Sequence, residues 1–339
     1  MGRQVHGFIA IAVFVLAVFC SVSHLPAAGA ESGPAVLRFA GWHPIEHHCT
    51  RGQELYAKLV MEKTKKVTIE VYPSSQLFSD KDMVRAVQTG AVEIGVIPTG
   101  LVTGQIPLLL VFDIPFLFRG REHYHRWLDD PEVSQAINVE FEKRGYHILY
   151  WMDFGSFGIA STKPLKTIED FKGKRIRAPG EMMVEGVRAL GAAPTMIGSG
   201  EVYMALQRNT IDAAISGWTS LLERKYYEVS KHLIDANYGM GFFPITINKK
   251  TWESLPKDVQ SIMTQAAVEA QSWGRKECQK SDLQDLEQLK KKGMQYYLVP
   301  EKERERWVAA TKPCVELFLK RVGDQDKGKK LLEKAQQMK

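Results

Sequence analysis

The chain has 339 residues, with 45 lysines and arginines against 39 aspartates and glutamates, so its formal net charge is +6. This modest excess is spread along the chain, which favours anions weakly and argues against a nucleic-acid-binding protein. The length suits two domains of ordinary size.

The first thirty residues have the pattern of a secretory signal peptide. Arg3 precedes an apolar run over 8–19, and Ala28-Gly29-Ala30 matches an A-x-A cleavage motif. The run is shorter than the roughly 18 apolar residues that a membrane-spanning helix needs. We therefore predict an exported protein, cleaved after Ala30. Cys20 raises the alternative of a lipoprotein, but the bulky Phe19 before it disfavours lipidation.

Strand-like and helix-like segments alternate through most of the remaining chain. Helical patterns cover 49–63 and 80–89, and Gly90 is placed to end the second helix. Strands are predicted at 35–41, 67–72, 94–97, 148–152, 158–161, 174–178, 194–196, 211–215 and 243–248. This alternation predicts an α/β fold with mixed or mainly parallel sheets.

The pattern changes at Pro256. Residues 256–292 form one long helical segment with little glycine, followed by a strand at 295–299 and helices across 301–322 and 324–338. A helix of that length is unusual inside one small lobe, so we expect it to brace two lobes. Because no repeat or low-complexity linker separates the halves, we expect the domains to exchange the chain several times.

Three cysteines follow the predicted leader: Cys49, Cys278 and Cys314. An odd number leaves at least one thiol unpaired in an oxidising compartment. Whether Cys278 and Cys314 pair stays open at the level of sequence.

Motifs for nucleotide binding and hydrolysis are incomplete or missing. Gly198-Ser199-Gly200 precedes a helical segment, but no third glycine or Lys-Ser/Thr completes a phosphate-binding fingerprint. A tight turn is the better interpretation, and Ser199 stays a candidate ligand contact at a helix start. No G-x-S-x-G or H-E-x-x-H is present. The sequence therefore predicts neither an enzyme nor a cofactor.

A histidine cluster raises the possibility of a metal site. His43, His47, His48 and Cys49 lie close together, but Pro44 interrupts the helical spacing and no carboxylate-rich segment accompanies them. We predict no metal. The expected alternative is a polar helix turn, with Trp42 and His43 in a strand-to-helix loop that faces a ligand.

Arg177 is the strongest candidate for a ligand contact. It ends the predicted strand before Ala178-Pro179-Gly180, and α/β proteins place ligand contacts at such strand ends. Its planar guanidinium fits a carboxylate with two parallel hydrogen bonds. Arg175 lies mid-strand and is expected to be solvated. An internal or interlobe salt bridge is the alternative role for Arg177.

Seven aromatic residues cluster at predicted strand ends or loops. Some are expected to be core, and two or three to line a ligand cleft between lobes. They are Trp42, Trp151, Phe157, Trp218, Tyr238, Phe242 and Phe243.

Over about 39–270 the chain resembles the extracytoplasmic solute receptors of tripartite ATP-independent periplasmic (TRAP) transporters. The resemblance rests on several blocks in the same order, each of them weak alone. They are Tyr72-Pro73-x-x-Gln76-Leu77, Ala86-Val87-Gln88-x-Gly90-Ala91, 112–118, 172–179, Leu190-Gly191-Ala192-x-Pro194, Glu201-Val202-Tyr203-x-Ala205-Leu206-Gln207, Ile211-Asp212, 227–231 and Trp252-x-x-Leu255-Pro256.

The resemblance implies a two-lobed periplasmic binding protein, type II-like, with hinge crossovers and a long bracing helix. We expect lobe I at 31–154 plus about 243–282, and lobe II at 155–242 plus about 283–339. The family's position at Arg177 forms the salt bridge to a small organic anion, most often a carboxylate. The implied partner is a two-part membrane permease driven by an ion gradient, and we expect the receptor to be a monomer.

Three positions depart from the sugar-acid branch of that family. Phe157 replaces a second arginine, Pro98-Thr99 replaces an acidic residue, and Ser216 replaces an asparagine before Gly217-Trp218. Each change removes a polar group or adds apolar surface. We therefore expect a smaller or more apolar acid, with a ring able to stack on Trp218, Phe157 or Trp42.

The remaining candidate contacts are the hydroxyls of Ser199, Ser216 and Thr99, together with Tyr238, Phe242 and His43. A sulfonate ligand, a receptor that serves a membrane sensor, and a periplasmic enzyme on the same scaffold are the alternatives.

Overall fold

The computed structural model describes residues 34–338, and the predicted leader lies outside this range. Within it, ten strands join into one hydrogen-bonded sheet. They are β1 Ala35–Ala40, β2 Val67–Tyr72, β3 Ile94–Val96, β4 Tyr146–Ser161, β5 Arg175–Arg177, β6 Ala193–Thr195, β7 Ala213–Gly217, β8 His232–Asp235, β9 Met240–Asn248 and β10 Gln295–Leu298.

Helices alternate with these strands. They are α1 His48–Lys63, α2 Asp80–Thr89, α3 Thr99–Val102, α4 Arg121–Asp129, α5 Pro131–Lys143, α6 Glu181–Ala189, α7 Val202–Gln207, α8 Trp218–Glu223, α9 Tyr226–Val229, α10 Lys249–Ser254, α11 Lys257–Lys291, α12 Glu301–Thr311, α13 Pro313–Arg321 and α14 Gln325–Gln337. Short 3₁₀ helices occupy Pro107–Asp113, Ile168–Phe171 and Ser199–Glu201.

The sheet is mixed, as the sequence predicts, and its order is β2-β1-β3-β9-β4-β7-β5-β6. The β1–β2, β1–β3, β5–β6 and β5–β7 pairs are parallel, whereas β9 runs antiparallel to both β3 and β4. A further edge is made by β8, which pairs with β4, and by β10, which pairs with β8. The strand β8 is absent from the sequence prediction.

The sixteen-residue strand β4 joins the two halves of the sheet. One half contains β2, β1, β3 and β9, and the other contains β7, β5, β6, β8 and β10. Its residues up to Ser156 pair with β9, and those from Phe157 onward pair with β7 and β8. The sequence predicts two separate strands here, at 148–152 and 158–161. Register shifts at Ile148/Tyr150 and Asp153/Gly155 bend the strand, so one continuous element serves both halves.

The 35-residue helix α11 confirms the predicted long helix almost residue for residue. It packs against α1, β4 and α8, so it touches elements of both sheet halves. Ala266 and Ala270 lie on its buried face, and their small size permits close approach. Among residues 34–338, none of the helices, α11 included, has the sustained hydropathy that a transmembrane span requires.

The predicted helix over 301–322 is two helices, because Pro313 interrupts it. Proline has no backbone N–H for the preceding turn but is well suited to a first helical position, which it occupies in α13. The final helix α14 packs on α4 and α5, where the indole of Trp127 donates to Leu331 O at 2.9 Å. The predicted lobe boundaries stay a prediction, since the described residues 34–338 belong to one compact unit.

A buried ion cluster fastens the bend of β4 to the long helix. Arg121 of α4 contacts Asp153 of β4 at 2.9 Å and Asp282 of α11 at 2.7 Å. The Asp282 carboxylate also accepts the backbone N–H of Ser156 at 2.9 Å. Burial raises the pKa of Asp282 to about 6, and the Arg121 charge opposes that rise. These ion pairs therefore hold β4, α11 and α4 together at one point.

The three cysteines of the described chain, Cys49, Cys278 and Cys314, are free and buried. In this structure Cys278 and Cys314 do not form a disulfide.

Gly155→Ala tests the bend of β4. Gly155 has φ +114°, which side-chain-bearing residues rarely adopt, and a Cβ there would overlap the Asp282 carboxylate. We expect the variant to lose about 2–4 kcal/mol of unfolding free energy, measured by urea titration. Gly274→Ala is the control: Gly274 lies within helix α11 with open space where the added Cβ would stand, so this variant should gain about 0.5–1 kcal/mol of unfolding free energy. Equal stability of Gly155→Ala and wild type would contradict the assignment.

Candidate ligand-binding cavity

One cavity lies between the two halves of the sheet. Both halves line it. The lining residues are Trp42, Asp80, Pro98, Thr99, Gly100, Leu101, Asp113, Phe154, Phe157, Arg177, Pro179, Met183, Ser199, Ser216, Ser220, Arg224 and Phe243. Apolar side chains therefore surround two arginines, two aspartates and a few hydroxyls, a composition typical of small-molecule sites.

Arg177 is held in the cavity wall by backbone carbonyls. It ends the short strand β5, which lies between β6 and β7, and only 5% of its surface is exposed. Its Nε donates to Ile197 O at 3.2 Å and its Nη1 donates to Ile215 O at 2.9 Å. Within residues 34–338 no carboxylate pairs with it, so the alternative of a protein salt bridge is not realised.

Burial lowers the pKa of the Arg177 guanidinium, but an arginine side chain stays protonated at neutral pH. Its Nη2 has no hydrogen-bond partner among the described residues. A buried cation with an unused donor that faces a cavity attracts an anion. Arg175, two residues earlier, is committed instead to Asp212, which it contacts at 3.0 Å.

A second arginine, which the sequence analysis does not identify, also lines the cavity. Arg224 follows the last turn of α8 and donates from Nη2 to Trp42 O at 2.9 Å. The strand-end argument that selects Arg177 cannot find it, because it belongs to a helix end. The charge of Arg224 acts on Arg177, as do the opposite charges of Asp80 and Glu201.

Two aspartates line the same cavity and differ in their hydrogen bonds. Asp80 begins α2, and its Oδ2 accepts the backbone N–H of Ser199 at 3.0 Å, which links the two sides of the cavity. Asp113 ends the 3₁₀ helix Pro107–Asp113 and is 8% exposed, with no hydrogen bond or ion pair to the described chain. Burial alone raises the pKa of Asp113 to about 7.

Four aromatic rings form the apolar wall: Trp42, Phe154, Phe157 and Phe243. The ring of Phe243 lies 5.1 Å from both Trp42 and Phe154, between centroids, and Phe157 lies 5.8 Å from Phe154. The indole Nε1 of Trp42 is buried without a hydrogen-bond partner. The rings thus pack against one another and make this part of the wall apolar.

Six of the ten predicted contacts line this cavity, whereas Trp218, Tyr238, Phe242 and His43 do not. The ring of Trp218 lies over Gly158, where any Cβ would overlap it. Tyr238 packs on Phe116, and Phe242 stacks on Tyr124 at 3.9 Å. These residues are core. The six on the wall are Arg177, Ser216, Phe157, Trp42, Ser199 and Thr99.

His43 lies behind the wall, 3.8 Å from the Trp42 ring, and is fully buried. Its neighbours His47, His48 and Cys49 place their donor atoms within 4.8 Å of one another. However, Nε2 of His48 points at Asp153 O at 3.1 Å, so it carries a proton, and the Cys49 thiol donates to the same oxygen. Burial raises the pKa of Cys49 well above its usual range. Hydrogen bonds thus engage Nε2 of His48 and the Cys49 thiol, and the absence of a metal stays a prediction.

Residues 39–321 match the family described as bacterial extracellular solute-binding protein, family 7. The C4-dicarboxylate-binding periplasmic protein DctP of Rhodobacter capsulatus is 27% identical over 86% of this chain and 88% of its own length. Two solved TRAP periplasmic solute-binding proteins each cover 90% of this chain and 99% of their own. The Desulfovibrio salexigens protein, with orotic acid, is 27% identical, and the Shewanella oneidensis protein, with succinate, is 25% identical; both have TM-scores of 0.85.

Asp113→Asn tests whether the cavity holds an unpaired acid. A folded-state pKa raised from 3.8 to about 7 means that the shift of Asp113 costs nothing below pH 4. Its destabilising effect grows between pH 4 and 7 and is fully present above pH 7. We expect the variant to be more stable than wild type by about 2–4 kcal/mol at pH 8, and by much less at pH 5. Thermal and urea unfolding of the ligand-free protein measure this difference.

Asp212→Asn is the control, because Arg175 lowers the pKa of Asp212. That variant should be no more stable than wild type at either pH. An Asp113→Asn variant without a gain at pH 8 would show that the carboxyl has a partner.

Proposed function

The chain belongs to family 7 of the bacterial extracellular solute-binding proteins, and we propose that its cavity binds a small organic acid through Arg177. It is a periplasmic solute receptor of the TRAP type. The observation that carries the proposal is the geometry of Arg177. A buried guanidinium with two carbonyl partners and no counter-ion keeps one edge for an anion.

The relatives suggest the ligand class. The names of proteins similar to this chain state C4-dicarboxylate, orotic acid and succinate, and others state the sugar acids galacturonate and 2,3-diketo-L-gulonate; all of these are carboxylic acids. Apolar residues form much of the lining, including four aromatic rings. We propose a carboxylate that is smaller or more apolar than a polyhydroxylated sugar acid. An aromatic ring in the ligand would pack on Phe157 and Trp42, and a sulfonate is the alternative anion.

Capture by lobe closure is the proposed mechanism. Contacts bridge the cavity mouth: Ser199 N–H to Asp80, and Lys81 to Glu201 at 3.1 Å. Gly100 and Gly180 approach so closely that a Cβ on either would overlap the other's backbone. These contacts must separate for a solute to enter. Their closure would exclude water from the guanidinium and strengthen its bond to the acid.

Delivery to the membrane permease is the proposed next step. TRAP receptors work with membrane permease components, and we propose that this chain acts as a monomer in that role. A receptor that reports the ligand to a membrane sensor is the alternative. The family to which this chain belongs consists of substrate-binding proteins. We propose that this member catalyses no reaction on the bound acid.

We further propose that residues 1–30 direct export and are removed after Ala30. The basic start, the short apolar run and the A-x-A motif support this.

Arg177→Gln tests the anchor. The substitution leaves the ligand's carboxylate without its buried partner, a loss of about 3–5 kcal/mol, so the affinity should fall by at least about 100-fold. Isothermal titration with orotate and succinate measures the dissociation constants, after a thermal-shift screen has ranked these and other carboxylates and sulfonates.

Arg175→Gln is the matched control, two residues away on the same strand and bonded to Asp212. It should retain the wild-type affinity. If Arg177→Gln binds an acid as tightly as wild type does, Arg177 is not the anchor.

A further inference from the structure

We propose that the acid bound in this cavity also carries a hydrogen-bond donor, an O–H or N–H group, and that Asp113 accepts it. This inference rests on the proposed function and narrows its ligand class. Asp113 would then be a specificity-determining contact, distinct from the anchor at Arg177.

The first argument is the position of Asp113. Its side chain is more than nine-tenths buried and lines the cavity. Its Oδ2 lies between Gly100 and Gly180, where a Cβ on either glycine would come within 2.9 Å of it. The two glycines thus leave room for a carboxylate at the place where the two sides of the cavity meet.

The second argument is that the protein does not satisfy this carboxylate. No described residue donates to it, although buried polar groups in native proteins are nearly always hydrogen-bonded. Leaving such a group unpaired is costly, and ligand sites are where proteins tolerate that cost. A solute that fills the cavity next to Asp113 would have to donate a hydrogen bond to the carboxylate or leave it without a partner.

Several titratable groups act on Asp113 or lie on the elements that pack against its 3₁₀ helix. The charge of Asp113 acts on Tyr124 of α4 and on Tyr238, which precedes β9. Burial raises the pKa of both tyrosines well above 10, so both are neutral. Helix α3 carries no titratable residue. On α6, Glu181 accepts from Thr103 at 3.0 Å. On α13, burial raises the pKa of Cys314 to about 11, which keeps the thiol neutral.

The cavity is therefore polarised. Arg177 and Arg224 make one part of its wall positive, and neither contributes to the pKa of Asp113. Asp80, the other lining acid, already accepts from Ser199. A solute with carboxylates alone would place a second negative charge beside Asp113. An acid with a hydroxyl, amide or ammonium group matches both parts of the wall.

The direction of the pH dependence follows from this pairing. A ligand donor stabilises the ionised form of Asp113, so binding lowers its pKa and releases a proton. Affinity should be highest above pH 7 and fall as pH drops below it, by at most about tenfold per pH unit. A dicarboxylate held by a protonated Asp113 would show the opposite trend.

Matched acids that differ by one hydroxyl test the proposal. Isothermal titration at pH 8 and pH 5.5 compares mandelate with phenylacetate, and lactate with propionate, with succinate as the dicarboxylate. For at least one pair we expect the hydroxy acid to bind at least about tenfold more tightly at pH 8. Its affinity should fall about tenfold or more at pH 5.5.

Two variants distinguish the role of Asp113 as a hydrogen-bond acceptor from the effect of its titration. Asp113→Leu should remove both the hydroxyl preference and the pH dependence. Asp113→Asn retains an acceptor oxygen, so it should keep part of the preference while losing the pH dependence. Circular dichroism and thermal unfolding check that each variant folds, and Arg175→Gln should behave as wild type does.

Three results would overturn the inference: equal affinities within both pairs, a hydroxyl preference that survives in Asp113→Leu, or tighter binding at pH 5.5 than at pH 8. Acid binding that needs Arg177 but ignores Asp113 would leave the proposed function standing. If none of these acids or those of the wider screen binds the wild-type receptor, the proposed function fails and this inference fails with it.

Discussion

The structure depends on a buried positive charge that the protein solvates but does not neutralise. The carbonyls of Ile197 and Ile215 hold the Arg177 guanidinium in the cavity wall, one just before the 3₁₀ helix Ser199–Glu201 and the other in β7. Fixed dipoles of this kind stabilise the charge without using up its capacity to bind an anion. A carboxylate in place of those carbonyls would have formed an internal salt bridge and closed the site.

The framework around the cavity keeps this charge in position while leaving a path for movement. Strand β4 and helix α11 both touch the two halves of the sheet, and the pair is fastened where Arg121 joins Asp153 to Asp282. The bend at Gly155 lies at the same point. The contacts across the cavity mouth, such as Lys81 with Glu201, are exposed, and exposed ion pairs contribute little to stability. Buried ion pairs thus stabilise the bend of β4, whereas exposed contacts hold the cavity mouth weakly.

Much of the fold and part of the site could be predicted from the sequence. Helix α2 with its Gly90 terminator follows from local signals, as does the length of α11, and the strand-end position selects Arg177. Sequence patterns do not predict the features that depend on tertiary packing. Trp218 is core because its ring lies over Gly158, and the split of β4 into two strands is wrong because a bulge bends one strand. The sequence does not single out Asp113, because it lies in an apolar run, where sequence alone does not reveal whether a carboxylate finds a partner.

A crystal structure of the receptor with an acid identified by thermal shift tests the central claim most directly. The account predicts that two oxygens of the acid group lie within hydrogen-bonding distance of the Arg177 guanidinium, which keeps its bonds to Ile197 and Ile215. An acid group held elsewhere, or a guanidinium turned away from the bound solute, would contradict it.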